Sequence, residues 1–221
     1  MNALSRPIAE HPRAGARRAQ ILAAAAACFR SHGFHGASIA SISATAGMSA
    51  GHIYHYFANK EAIIAGIVAQ DLDRALDITA QLRSSPDVRD ALLGAVAGGV
   101  ERSLDPETAA LRVEIAAEAS RNERVAAIVR TADEQGIASL VETLRSMRRA
   151  RGHCDDDAAL AGMAEVIAAL FDGLTVRGIR HPGLDREAAA RMIRRIVASI
   201  ADEPFAAAAR GPGPADHADS A

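Results

Sequence analysis

At 221 residues, 49% hydrophobic and 24% charged, the chain is long enough to bury a core as one large or two small domains, and its composition is that of a globular protein rather than a disordered or fibrous one. Two cysteines, Cys28 and Cys154, exclude a disulfide framework and make reduced thiols in a cytoplasmic setting the expectation. The net charge of −2 hides a division: residues 1–60 hold six basic groups against one acid, a net of +5 that leaves −7 for the rest, as in a polyanion-binding head on a body that does not bind polyanions.

Residues 1–13 contain Pro7 and Pro12 and no periodic pattern, which predicts a flexible arm. From Ala14 the pattern is helical, with Ile21, Leu22, Ala25, Cys28 and Phe29 on one face. Gly33 stands where a helix would end. Ser38 is placed to cap a short helix bearing Ile39, Ile42 and Ala46; Gly47 closes it, and Ser49 caps another running to about Phe57. Ser38 to Phe57 therefore reads as a helix-turn-helix. Asn59 caps a long helix over 60–84, and further helices are expected over 87–103, 106–119, 122–150, 155–180 and 186–201. Asp105-Pro106-Glu107 is a strong start signal, with a capping acid, proline at the first helical position and an acid at the positive end of the dipole. From Asp202 the chain turns to Ala, Gly, Pro and Asp, which predicts a disordered tail. The sum is an all-α protein of nine helices: a helix-turn-helix unit over 14–60, a helical body over 61–201, and a tail over 202–221. The N-terminus has no continuous apolar run and no stretch of 18 apolar residues occurs, so neither export nor a membrane span is expected.

The chain has seven Phe and Tyr and no Trp, yet Ser49–Phe57, "SAGHIYHYF", packs two histidines and two tyrosines into nine residues. On a helix, Ala50, Ile53, Tyr54 and Phe57 fall on one side and Gly51, His52, His55, Tyr56 and Asn59 on the other. The first set is expected to pack on Ile39, Ile42 and Phe34, and the second to face outward, where small leading residues permit close approach to a surface. A metal site is a poor reading, because no Cys or acid completes a ligand set for His52 and His55. Nor does "HCDDD" around Cys154 require a metal or other cofactor; acids in the first turn of a helix suffice. No nucleophile elbow, metalloprotease helix, P-loop or dinucleotide fingerprint is present, so no catalytic residue is assigned.

The run "RRAQILAAAAACFRSHGFHGASIASISATAGMSAGHIYHYFANKEAII" resembles the TetR family of one-component transcriptional repressors over about 50 residues. The resemblance lies in an Ile-Leu-x-Ala-Ala helix ending in Phe, then Gly-Phe, a Ser cap, an Ala-Gly turn, and Tyr-x-Tyr-Phe-x-Asn-Lys-Glu. It implies that Ala50, Gly51 and His52 face base edges, that Ser38, Ser49, Tyr54, Tyr56 and Lys60 hold phosphates, and that His55 lies against the backbone or a base. Two departures stand out. Ser43 and Thr45 occupy places where small apolar or charged residues are more usual, and His52 replaces the common Thr, Asn or Leu. The family also implies a homodimer on a palindromic duplex operator, with ligand binding and dimerisation in the 61–201 body and the last two helices of each protomer paired with their mates in a four-helix bundle. The apolar stripes at 160–174 and 192–200 read as internal core, as that interface, or as a mixture of the two; Leu160, Ile167, Leu170, Leu174, Ile193, Ile196, Val197 and Ile200 are the candidate interface residues.

Helix faces suggest Leu92, Val96, Leu111, Ile115, Ile128, Leu144, Met163 and Phe171, together with a few unassigned arginines, as the lining of an effector pocket; the competing reading of most of these residues is plain core. The rear half has a faint resemblance to the choline-responsive repressor subgroup. Five of the seven aromatics belong to the head, however, leaving too few rings for a cage around a quaternary ammonium ion, so an aliphatic or anionic effector is expected. The alternatives are a dimeric regulator of the same fold that needs no ligand and, from another class, a helical enzyme or scaffold with a surface histidine cluster.

Overall fold

The structure, a computed structural model, describes residues 12–203. Among them run nine helices: α1 (Pro12–Gly36), α2 (Ile39–Ala46), α3 (Ala50–Tyr56), α4 (Lys60–Ser84), α5 (Val88–Ser103), α6 (Pro106–Ala119), α7 (Glu123–Ala150), α8 (Asp157–Arg180) and α9 (Arg186–Asp202). The helix begins at Pro12 rather than Ala14, so most of the arm expected over 1–13 lies outside the described residues. So does the tail beyond Glu203, while Asp202 itself still belongs to α9.

Local chemistry sets the boundaries. Every helix from α2 to α9 starts after a Ser, Asn or Asp whose side-chain oxygen accepts a backbone N–H two or three residues on; each such cap contributes about 1 kcal/mol. In "HCDDD", Asp156 is the cap of α8 and Asp157 lies in its first turn. Gly33 takes φ of 69° and breaks α1 before its last turn, and Gly47 takes φ of 64° at the end of α2. Both conformations are costly for any residue with a Cβ.

Two apolar clusters form the interior. The first joins Ile21, Ala25 and Phe29 of α1 to Phe34, Ile42, Ile53 and Phe57, with Ile63, Ile64 and Ile67 from the start of α4. Val125 of α7 is fully buried in it, and Leu111 and Ile115 of α6 pack on its edge, so the helix-turn-helix is seated on the body. The second cluster joins Leu82, Leu92, Val96, Val100, Leu144, Met147, Leu160, Met163, Ile167, Leu174, Ile193 and Val197 from α4, α5, α7, α8 and α9. Two charged side chains are wholly enclosed, Glu118 and Arg148. Helix α8 has the length and apolar composition to cross a membrane, but Leu160, Ala164, Ile167 and Leu174 bury one side of it in the second cluster.

The seam between head and body is polar and specific. The Glu114 carboxylate of α6 accepts the Phe34 N–H at 2.7 Å, next to the kink at Gly33. Arg30 pairs with Glu107 at 3.0 Å. Buried Glu118 accepts from Arg121 and Asn122, both at 2.9 Å, and lies 3.2 Å from His35. Helix α6 thus touches the end of α1 at three carboxylates.

Candidate nucleic-acid interface

Helix α3 has only seven residues, and one of them, Ile53, is buried; Phe57, at its C-cap, is the second anchor. Ser49 accepts the His52 N–H at 3.2 Å and starts the helix. With two anchors on so short a helix, most of its surface is free: Ser49, Ala50, Gly51, His52, Tyr54 and His55 are exposed. Tyr54 is 55% exposed and Ala50 is exposed, which corrects the inward placement of both; they sit beside Ile53 on the helical wheel, but no neighbouring element reaches them. A Cβ at Gly51 would meet nothing within 4 Å, so the backbone there can be approached closely.

His52, His55 and Tyr56 form one ring cluster, with His55 and Tyr56 edge-to-face at 5.0 Å and His52 and Tyr56 at 5.4 Å. Tyr56 is half-buried and packs on the first core cluster, so it holds the two imidazoles in place from below. Ser38 is exposed at the start of α2, where it and Ser41 cap one another's backbone. The two unusual positions of α2 are satisfied locally. Ser43 donates to the Ala40 carbonyl at 2.9 Å, and the Thr45 hydroxyl lies 3.4 Å from the Cys28 sulfur, joining α2 to α1.

Lys60 has a structural task of its own. Its Nζ donates to the Phe34 and Ala37 carbonyls at 2.7 and 3.0 Å and stands 4.4 Å from the centre of the Phe34 ring. It ties the end of α1 to the start of α4 and keeps one N–H beyond these two bonds. Replacing Lys60 by alanine is expected to lower the slope of log affinity against log salt by about one. The same change should cost about 1–3 kcal/mol of stability through the two lost charge-assisted hydrogen bonds. DNA anisotropy between 50 and 200 mM salt, alongside a thermal melt, checks both; an unchanged slope would leave Lys60 only its structural task.

Two braces escaped the sequence reading. Arg18 donates to the Tyr56 carbonyl at 3.3 Å with its guanidinium 4.6 Å from the Phe57 ring centre, and Gln20 donates to the Ala46 carbonyl at 2.8 Å. Both groups come from α1 and hold the C-terminal ends of α2 and α3. Only the basic pair at 17–18 hinted at them, as charge rather than as contact.

A second site lies in the body. A cavity of about 240 Å³ opens between α4, α5, α6, α7, α8 and α9. Of the residues expected to line it, Leu92, Val96 and Phe171 do. Leu144 and Met163 are buried in the second core cluster, Leu111 and Ile115 pack on the first, and Ile128 lines a surface groove between α4 and α7. Faces on these alanine-rich helices are apolar on more than one side, which is why periodicity misassigned them. The polar lining, none of which was placed by number, consists of Asp71, Thr79, Arg102, Ser103 and Arg112.

The expected interface needs a similar correction. Leu160, Ile167, Leu174, Ile193 and Val197 are buried within the chain itself, and Leu170 and Ile200 are half-buried. Of the eight, Ile196 alone is exposed. The free apolar face of α8 and α9 consists instead of Val166, Val176, Ile179, Met192 and Ile196, with exposed Gly162, Ala169 and Gly173 along α8.

Residues 21–67, which contain this helix-turn-helix, match the model of bacterial regulatory proteins of the tetR family. Residues 89–202, more than half of the chain, match that of the C-terminal part of BetI-type transcriptional repressors. The chain belongs to the TetR family. It is a DNA-binding transcriptional regulator, and the all-α fold with an N-terminal helix-turn-helix is that of the family. It is similar to the HTH-type transcriptional regulator UidR of Escherichia coli K12, at 29% identity over 184 residues that cover 83% of this chain and 92% of the relative. Among solved structures it is similar to GusR of Salmonella enterica, at 28% identity with a TM-score of 0.69, covering 90% of this chain and 99% of the other. A transcriptional regulator of Saccharomonospora viridis in complex with choline shares the fold at 20% identity and a TM-score of 0.65, over 83% of this chain and 96% of the other.

Proposed function

We propose that this TetR-family regulator works as a cytoplasmic homodimer that represses transcription from a palindromic operator and is released by a small molecule bound in the body cavity, with no catalytic step of its own. The observation that carries the reading is the exposure of α3. Two anchors hold it down, while Ser49, Ala50, Gly51, His52, Tyr54 and His55 stand free on a basic head. A short helix entering the major groove meets base edges with its first residues, which assigns Ala50, Gly51 and His52 to bases. Ser38, Ser49, Tyr54, Tyr56 and Lys60 take phosphates, and His55 lies at the border between them.

Dimerisation is supported by the unpartnered apolar face on α8 and α9, where glycine and alanine allow close helix approach. One head reads few base pairs; two heads spaced by roughly 34–36 Å read two half-sites one turn apart. An effector is supported by the cavity, and choline is a poor fit to it. Phe171 is its single aromatic residue, and its lining cations outnumber its acids.

The test is a titration of the duplex upstream of the protein's own gene, read by gel shift and by sedimentation. Two protomers per duplex, with competition by specific but not random DNA, are expected. A monomer indifferent to every duplex at low salt would end the proposal.

A further inference from the structure

The charged groups at the cavity are out of balance. Asp71 lies 2.8 Å from Arg74 and 3.6 Å from Arg112, so one carboxylate serves two guanidinium groups. Asp172, on the outer side of α8, also feels Arg112; partial desolvation, opposed by that arginine and reinforced by Asp133, holds its carboxyl above the usual carboxylate range. Arg102 lines the same cavity and pairs with no acid among the described residues. Desolvation first, and then its like-charged neighbours Arg112 and Arg74, hold the Arg102 guanidinium below its ordinary pKa. An anion placed there would offset the lost hydration and neutralise the repulsion. Two adjacent glycines of α5 let the Arg102 guanidinium and the Phe171 ring lie close against the helix backbone at the cavity wall. A Cβ at Gly98 would stand 3.3 Å from an Arg102 nitrogen, and one at Gly99 only 2.6 Å from the Phe171 ring. Beyond the arginines the wall is apolar, with Ile78, Leu140, Ile167 and Phe171.

Resting on the effector site proposed above, we propose that this cavity takes a small anionic amphiphile, an aliphatic carboxylate or phosphate monoester, whose head group is held by Arg102 beside Arg112 and whose chain lies against Phe171 and Ile167. The head is an anion because the one lining carboxylate, Asp71, is already shared between Arg74 and Arg112, which leaves Arg102 without an acid of its own. The body must be short, because about 240 Å³ is below the usual range of drug-sized pockets, roughly 300–1,000 Å³. A cationic head meets two lining arginines, a single ring, and one carboxylate already shared between guanidinium groups.

Calorimetric titration of the full-length protein with octanoate, octyl phosphate, 1-octanol and octyltrimethylammonium tests this. At least one of the two anions should bind about 10-fold or more tighter than octanol, as one charge-assisted contact implies, and the ammonium should bind weakest. The stronger of the two anions tells carboxylate from phosphate. Arg102→Met keeps the apolar stem and should remove the anion's advantage over octanol. Anions that bind no better than octanol, or bind Arg102→Met as well as the parent, would overturn the inference. Gel shifts on the same preparations separate the two readings. If operator binding persists and only a neutral or cationic compound releases it, the ligand-responsive repressor stands and the anion site falls. If duplex binding is absent while Arg102-dependent binding of an anion remains, the site stands and the repressor falls.

Discussion

Replacing Arg148 by alanine is expected to lower stability by about 3–5 kcal/mol, the usual cost of leaving one member of a buried ion pair alone. Arg148 is 1% exposed and grips Asp155 with two nitrogens, one of them at 2.8 Å. Its remaining Nη1 donates to the Ile200, Glu203 and Ala201 carbonyls at 2.6, 3.1 and 3.4 Å. One side chain therefore closes the loop between α7 and α8 and caps the C-terminal end of α9. Without it a carboxylate and the last carbonyls of a helix are left in a place water reaches poorly. For a chain of this size the melting temperature should fall by roughly 6–20 °C; a fall of less than 3 °C would refute the clamp. Acid titration gives a second check. The hydrogen bonds from Arg148, then its charge and that of His153, hold the Asp155 carboxyl below the usual carboxylate range, against burial, which raises it. A depressed native pKa gives stability that is full above the unfolded value of about 3.9 and lost as pH falls through the native one. The parent should thus lose stability below about pH 4. The variant should lose less there, though some loss should persist because Arg89 depresses Asp202 in the same sense.

The clamp also marks where sequence reading stops. Capping is local, so Ser38, Ser49, Asn59, Asp105 and Asp185 set helix starts that are legible within one or two residues. Glycine conformation is local too, and Gly33 and Gly47 break the helices where expected. Arg148 reaching the carbonyls of residues 200–203, or Phe34 reaching Glu114 eighty positions away, leaves no trace in spacing. Helix faces were legible only where one apolar stripe dominates. Around α8 the stripe of Leu160, Ile167 and Leu174 turns inward while Val166 and Val176 lie on the other side, and both are apolar. Periodicity finds two faces there; only the packing of α5, α6 and α7 says which is inside. Tyr54 failed for the opposite reason: α3 is too short for its wheel to have a buried side beyond Ile53 and Phe57.

That same shortness makes Gly51 the most informative position in the head. Gly51→Leu is expected to cut operator affinity by about 1,000-fold or more, toward the sequence-independent level, while stability holds or rises. Nothing stands within 4 Å of a Cβ at this position, so the leucine side chain starts into open space and should clash with no part of the protein. Leucine also favours a helix over glycine by roughly 0.5–1 kcal/mol. On DNA the same side chain would fill the gap between the α3 backbone and the base edges, and the exposed His52 and His55 beside it could no longer reach their partners. Gly51→Ala should lie between, with a smaller loss of affinity and a similar gain in stability. His52→Ala should instead alter sequence preference more than binding to random duplex, since it removes a base contact without adding bulk. Opposite signs for folding and binding are the diagnostic outcome, because a residue serving only the fold would move both the same way. If Gly51→Leu bound the operator like the parent, α3 would not be the helix that meets the bases, and the assignment of Ala50 and His52 would fall with it.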